Sequence, residues 1–359
     1  MAYQIGLDRY LGIGREGTHG TPVKSQALCS LIGGGLASSA GAIESRSLSV
    51  ADRMVKDILP GRILWNGSYD IEVQPEGGFL IALLALLGSH ADTGPTDEAY
   101  THVFKTSGTP DPVTFAEIAQ QETPFASIFR GGYVTGMNFA SDANSDDILT
   151  ASLQCVGQEE WVYDETTGDT DWANIAASFA LSTSPLFTGL HLGVSLDGGS
   201  NLNTDVTGGN FGISSAVRPL VTCDRSRVAA NHRFGRQAVT GTVNLMFSTM
   251  AELAEYFGLA SVSYTLQPGT VLGEYDLEYD WLSGDLIGSG DTYYQFTLGV
   301  TNAKVLARSA PVAGDDAIIQ SISWKAIYND TDESDVIATM VNSEAATYLD
   351  STGTAISVY

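Results

Sequence analysis

Lysine is scarce in this sequence. Only five of its 17 cationic side chains are lysines (Lys24, Lys56, Lys105, Lys304, Lys325), and the rest are arginines. Against them stand 42 Asp and Glu residues, giving a formal charge of −25. Proteins that grip nucleic acid do so by neutralising phosphates with Lys and Arg, so this balance excludes that class. An acidic, lysine-poor surface is also one way to stay soluble in concentrated salt, which is compatible with a halophilic source. Cysteine is equally sparse: Cys29, Cys155 and Cys223 are an odd number, with no CxxC spacing. They read as small buried hydrophobes rather than a disulfide framework. Long apolar runs are missing too. The longest, Phe79–Leu87, has nine residues, far below the ~20 that a membrane-spanning helix needs. No basic segment followed by an apolar run opens the chain, so no signal peptide is expected. These absences describe a soluble protein made in a cytoplasm.

What is present is enough apolar side chain for packed cores. The chain has 359 residues, 43% of them hydrophobic, a length that fits two domains and a composition outside the disordered and collagen-like classes. The strongest internal signal is a repeat. Gly61-Arg-Ile-Leu-Trp-Asn-Gly67 returns 174 residues later as Gly235-Arg-Gln-Ala-Val-Thr-Gly241, and Arg53 returns as Arg227. Ser68–Val73 and Thr242–Phe247 then share the period-2 alternation of a strand. Each copy runs into a helix-like segment ended by glycine, Phe79–Leu87 before Gly88 and Met250–Phe257 before Gly258. Glycine suits the left-handed position after a helix. Further on, Gly132–Phe139 and Ile148–Val156 flank Asp146-Asp147, as Gly299–Leu306 and Ile318–Ile327 flank Asp315-Asp316. Both read as hairpins. Polar Gln158–Ser184 reads as a linker between the copies. The second copy begins with strands around Gly189–Leu196, followed by a turn at Asp197–Gly209 and strands over Phe211–Thr222. Val113–Ile118, Val262–Leu266 and Glu274–Trp281 alternate as antiparallel strands do. The expectation is two mainly β domains, 1–175 and 176–359, with one helix each.

Motifs that could carry chemistry have plainer explanations. Gly12-Ile-Gly-Arg-Glu-Gly17 satisfies GxGxxG, but a dinucleotide loop must open a helix, and Thr18-His-Gly-Thr-Pro22 does not. A flexible arm is expected there. The five histidines (His19, His90, His102, His191, His232) show no HExxH or HxH spacing, which argues against zinc. His232 sits in a basic cluster with Arg225, Arg227, Arg233 and Arg236. In so acidic a chain this reads as an ion-pairing surface for a neighbouring subunit rather than a phosphate site. No GxSxG elbow offers a nucleophile. Glu274, Asp276, Glu278 and Asp280 alternate with Tyr275, Leu277, Tyr279 and Trp281, putting carboxylates on one strand face and apolar groups on the other. They read as a solvated face over a core; a negative wall facing a channel is the functional version, and an acid–base pair the least favoured. Asp197–Asp205 offers alternate oxygen ligands but lacks the closing glutamate of a calcium loop, so it reads as a turn. Asn66-Gly-Ser68 and Asn329-Asp-Thr331 match the glycosylation sequon, which has no meaning without a secretory route. The Phe79–Leu87 helix is apolar all round and must be covered by another element or subunit; its counterpart carries Glu252 and Glu255 and so has a wet face. No cofactor or metal is expected.

Several stretches together resemble the tail tube proteins of long-tailed, siphovirus-like phages and related viruses, archaeal ones included. They are Gly14–Pro22, Ile43–Ser49 leading to Arg53 and Gly61-Arg-x4-Gly67, strand Tyr69–Val73, the apolar helix to Gly88, Tyr100–Phe104, and the two-strand unit at Gly131–Val156. The second half matches through the repeat. The resemblance implies a tail-tube-type β-sandwich whose long hairpins join those of neighbours into a β-barrel around a lumen. It implies stacked rings forming the virion tail tube, which holds a tape-measure protein and then conducts viral DNA during ejection, with no sequence-specific binding. Tail terminator and baseplate or tip proteins are further implied partners; a membrane is not. Family rings are typically six domains around, so two copies per chain imply a trimeric, pseudo-hexameric ring, the alternative being a hexamer of one tube domain with an outer decoration. Candidate assembly positions are Arg53, Arg62, Arg227, Arg236, Leu83 and Leu86. Candidate luminal positions are Tyr69, Glu72, Tyr133, Asn138, Asn244 and Lys304. The competing classes are a β-sandwich receptor- or glycan-binding protein using Trp161, Tyr163 and Trp172, and a hydrolase using paired carboxylates.

Overall fold

The computed structural model describes residues 9–44, 57–119, 125–142, 147–164, 182–196, 206–222, 226–246, 274–309, 319–345 and 347–356. It is mostly β. The first half contains β1 (Arg9–Arg15), β2 (Ala27–Cys29), β3 (Leu31–Glu44), β4 (Ile58–Glu72), helix α1 (Gly78–Leu87), β5 (Gly88–Thr96), β6 (Ala99–Thr106), β7 (Val113–Ala119), β8 (Phe125–Asp142), β9 (Thr150–Gly157) and β10 (Glu159–Asp164). After a 3-10 turn at Gly189–His191 the second half contains β11 (Leu192–Leu196), β12 (Val206–Leu220), β13 (Asn231–Met246), β14 (Glu274–Leu286), β15 (Tyr293–Ser309), β16 (Ile319–Ala326), β17 (Ile337–Asn342) and the short α2 (Thr347–Asp350).

One long strand organises each half. The start of β8 pairs with β7 and β10, and β1 lies beyond β7, giving the order β1-β7-β8-β10. From Tyr133 onward β8 pairs with β9, which pairs with β4 and through it with β3. The result is a second sheet, β3-β4-β9-β8. In the second half β15 plays the same part. Its start pairs with β14 and β17, and β11 lies beyond β14. Its end pairs with β16, then β13 and β12 follow. The first half adds β2 and the β5–β6 hairpin to this plan. All these pairings are antiparallel, and both expected strand pairs, β8–β9 and β15–β16, are present. Val262–Leu266, the helix expected at Met250–Phe257 and both complete Asp-Asp turns lie outside the described residues.

The registers match as well as the order. The β3–β4 ladder slips between Leu31 and Gly33 and again between Ala40 and Ala42; β12–β13 slips between Val206 and Gly208 and between Ser215 and Val217, 175 residues on in both cases. The β8–β9 ladder slips between Val134 and Gly136, and β15–β16 between Val305 and Ala307. Bulges bend and twist a strand locally, which is what one strand serving two packed sheets requires.

The core lies between the sheets and follows the alternation. On β4, Trp65, Tyr69 and Ile71 are buried while Asn66, Ser68 and Asp70 are exposed. Helix α1 fills the centre, with no residue from Phe79 to Leu87 more than 3% exposed. It packs on β8, β1 and β6, with Phe79 edge-on to Phe139 of β8 and Phe296 of β15. Gly88 ends it in the left-handed conformation at φ 84°, as the sequence predicts. The helix is thus covered by this chain's own strands, and its apolarity does not require a neighbouring subunit.

Two further expectations change. Gly12–Gly17 is no flexible arm, because Arg9–Arg15 forms β1 between β2 and β7 with Leu11 and Ile13 fully buried. The linker starts later than Gln158: that residue is buried, and Glu159–Asp164 pair with β8 as β10.

Candidate assembly surface

The sheets β3-β4-β9-β8 and β12-β13-β16-β15 are joined edge to edge. β12 pairs with β8 from Gly208↔Asp142 to Ser214↔Gly136, producing one eight-stranded sheet, β3-β4-β9-β8-β12-β13-β16-β15. Its other face is open. Because side chains alternate and the ladders are in register, rows of residues cross both halves on that face. One row of Cα partners runs Asp70, Ser152, Asn138, Gly212, Thr240, Lys325. The next runs Glu72, Thr150, Ala140, Asn210, Thr242, Ser323. The face is dished around the β8–β12 joint, where troughs of about 870 and 460 Å³ are lined by both halves. Seven of the twelve residues in these rows are Ser, Thr or Asn, and three are charged (Asp70, Glu72 and Lys325). The alternating carboxylates lie elsewhere, on β14: Asp276 and Glu278 are exposed, while Asp280 accepts hydrogen bonds from Gln295 at 2.8 Å and Thr297 at 3.1 Å. Burial raises the Glu278 and Asp280 carboxyls above their ordinary values, with Asp280 adding repulsion at Glu278.

Polar contacts lock the joint from its rim. The Arg227 guanidinium donates to the Gly61 carbonyl at 2.7 Å, and the Ile63 N–H donates to the Arg227 carbonyl at 3.0 Å. Nearby, His19 Nε2 lies 3.1 Å from His232 Nδ1, and Gln158 Nε2 donates to the Ala229 carbonyl at 2.6 Å. Tyr133 stacks on His19, with centroids 5.3 Å apart. Burial, and secondarily His19, lowers the His232 pKa to about 4. Glu16 is buried beneath this knot and accepts from the Gly20 and Gly131 N–H groups and the Thr114 hydroxyl. Desolvation still raises its carboxyl to about 7. A second pair, His90 and His102 with ring nitrogens 3.1 Å apart, reaches Asn342 Oδ1 at 2.9 Å where β6 meets β17. The sequence shows scattered histidines; the fold brings them into two separate pairs, His90 to His102 across the β5–β6 hairpin and His19, in the turn after β1, to His232 of β13, and nothing in local spacing foretells it. Among the described residues no group of three or more His, Cys, Asp or Glu could hold a metal ion.

A two-sheet β unit carrying a dished face of mostly uncharged polar side chains and an exposed strand edge at β3 offers surfaces for assembly. The family model for phage tail tube protein matches residues 6–326 of the chain. The chain belongs to the phage tail tube protein family. It is a structural component of the virion tail, and no described helix is long and apolar enough to cross a membrane. No curated protein matches it.

For a phage tail tube protein the expected positions sort clearly. Glu72, Asn138 and Asn244 lie on the open face, as does Lys304 in register with Lys325. Tyr69 and Tyr133 do not: both are core residues, because alternation turns them away from that face, and the Tyr69 hydroxyl donates to Glu117 at 2.6 Å. Leu83 and Leu86 are fully buried in α1 and cannot be surface contacts. Arg62 and Arg236 are exposed, Arg227 binds across the joint, and Arg53 lies outside the described residues. The basic cluster loses His232, which is buried. Trp161 is half-buried, with the Arg130 guanidinium 4.3 Å from its ring centroid and its indole N–H donating to Glu159 at 2.9 Å; Trp172 and the side chain of Tyr163 lie outside the described residues.

Proposed function

We propose that this tail tube protein is a tandem duplication, with copies at 1–175 and 176–359, and that three chains close into a pseudo-hexameric ring. Stacked rings form the tube through which viral DNA leaves the virion, with a tape-measure protein in the lumen beforehand and terminator and baseplate proteins at the ends. The observation that carries the reading is the repeated ladder: the same strand order in both halves, with register shifts recurring 175 residues apart. A single tube domain with an unrelated decoration would not repeat its bulges.

The open face then lines the lumen. DNA is held by cations that displace its counterions, and this lining offers mostly hydroxyls and amides. Such groups make weak, interchangeable contacts, so a phosphate backbone slides without a site that retains it. The charge that keeps the particle soluble sits on other surfaces, the β14 carboxylates among them. Electron microscopy of the purified chain tests the reading: annular rings or tubes with six similar lobes are expected, whereas compact monomers at both low and molar salt would overturn it.

A further inference from the structure

The joint between the halves is a template for the joint between chains. Within the chain, β12 of the second half pairs with β8 of the first. By the repeat, β12 corresponds to β3 and β8 to β15. We infer that the ring closes through a seam in which the end of β15 pairs antiparallel with β3 of the next chain, in the register that β8 and β12 already use. This rests on the tandem-copy reading above and adds to it the two strands and their alignment.

The register follows residue by residue. The matching slips in the ladders set Ser214 against Ser39 and Gly212 against Ala37; they set Gly136 against Ala307 and Asn138 against Ser309. Within the chain the pairs are Gly212↔Asn138 and Ser214↔Gly136. Between chains they become Ala37↔Ser309 and Ser39↔Ala307.

Strand β3 is made for such a partner. Among the described residues it pairs with β4 alone, and from Ala37 to Glu44 it is exposed. Edge strands that must stay unpaired are protected by lysine, proline or inward charges. From Leu31 to Ile43 this strand has none of its own, only Gly, Ala, Ser, Leu and Ile; Arg9 and Glu117 bond its backbone at Gly34 and Leu36, short of the exposed stretch that starts at Ala37. Small side chains let a second backbone approach closely. Its counterpart β12 occupies the same place in the second half and is covered by β8, so an edge of this kind already has a strand as its occupant once in this chain.

Cysteine pairs test the seam in assembled rings. Ala37→Cys with Ser309→Cys, oxidised gently, should give covalent dimers and trimers on denaturing gels, and the ladder should stop at three chains because the ring is closed. Ser39→Cys with Ala307→Cys should behave alike. The displaced pair, Ala37→Cys with Ala307→Cys, should lose most of that product, and single variants should give none. Asn138→Cys with Gly212→Cys, inside one chain, should form an intramolecular bond and validates the chemistry. Rings by microscopy with no seam product, or with the displaced pair reacting as well, would overturn the seam while leaving the ring intact. Absence of rings from the unmodified chain would overturn the tandem reading and the seam with it.

Discussion

The two halves build the same sandwich with different core residues. In the first, the large indole is Trp65 on β4, facing Gly157 on β9; a Cβ on Gly157 would collide with the indole ring. In the second, the indole is Trp324 on β16, facing Gly241 on β13, where a Cβ would again meet the ring. Each core has room for one tryptophan between these strands, on either strand, provided the residue opposite gives up its side chain. Glycines set by backbone rather than side-chain contact recur in both halves. A Cβ on Gly67 would strike the Gly35 carbonyl, and one on Gly241 the Asn210 carbonyl; Gly34 stands to the Ser68 carbonyl as Gly209 does to that of Thr242. Side-chain volume can be exchanged between neighbours, but two backbones in contact leave no alternative to glycine. Such constraints match the sequence repeat, which consists of spaced glycines with little else identical.

Breaking the shared core should have the largest effect. Leu83→Asp places an unpaired carboxylate in a fully buried helix, a cost that exceeds the ~5 kcal/mol of a marginal domain; circular dichroism should show no folded protein. Trp65→Ala and Trp324→Ala should each lose about 3–5 kcal/mol in denaturant titrations, and equal losses would support equivalent roles. The comparison sharpens with a transplant. Cys155 sits opposite Gly67 as Trp324 sits opposite Gly241, so Cys155→Trp alone should overpack the first core by about 1–3 kcal/mol. Adding Trp65→Val should recover part of that loss, a non-additivity visible in a double-mutant cycle.

The joint should respond to acid. His232 titrates at about 4 when folded and at about 6.5 when unfolded, so the unfolded chain binds more protons between those values. Stability from this group is complete above pH 6.5 and falls as pH drops towards 4, by on the order of 2 kcal/mol. Glu16, raised to about 7, acts oppositely, losing stability as pH rises from about 4.5 through 7. Melting temperatures of His232→Gln should therefore shift towards greater relative stability at pH 5. The smallest effect belongs to Arg227→Ala, which removes one hydrogen bond to the Gly61 carbonyl and should cost about 1 kcal/mol, with the loosened joint seen as faster hydrogen exchange at Gly61–Ile63.

Much of this was legible in the sequence because strands reveal themselves by alternation. Tyr275, Leu277, Tyr279 and Trp281 lie on the buried side of β14, as period-2 reading places them. The apolar helix and its glycine stop were equally plain. What was not legible depends on pairing across the chain. Gly12 and Gly14 look like a mobile loop, but they are glycines because Ser25 and the Lys24 carbonyl crowd β1. Tyr69 and Tyr133 look like exposed hairpin aromatics until the ladder register turns them inward. The histidine pairs join residues 213 and 12 positions apart in sequence, one from the turn after β1 to β13 and one across the β5–β6 hairpin, and no local pattern encodes such a meeting.

Counting the chains in a ring tests the central claim most directly. Native mass spectrometry of isolated rings should give three copies of the 37.9 kDa chain, with both halves of every copy in the wall. Six copies per ring would contradict the account, because one half of each chain would then have no place around the lumen.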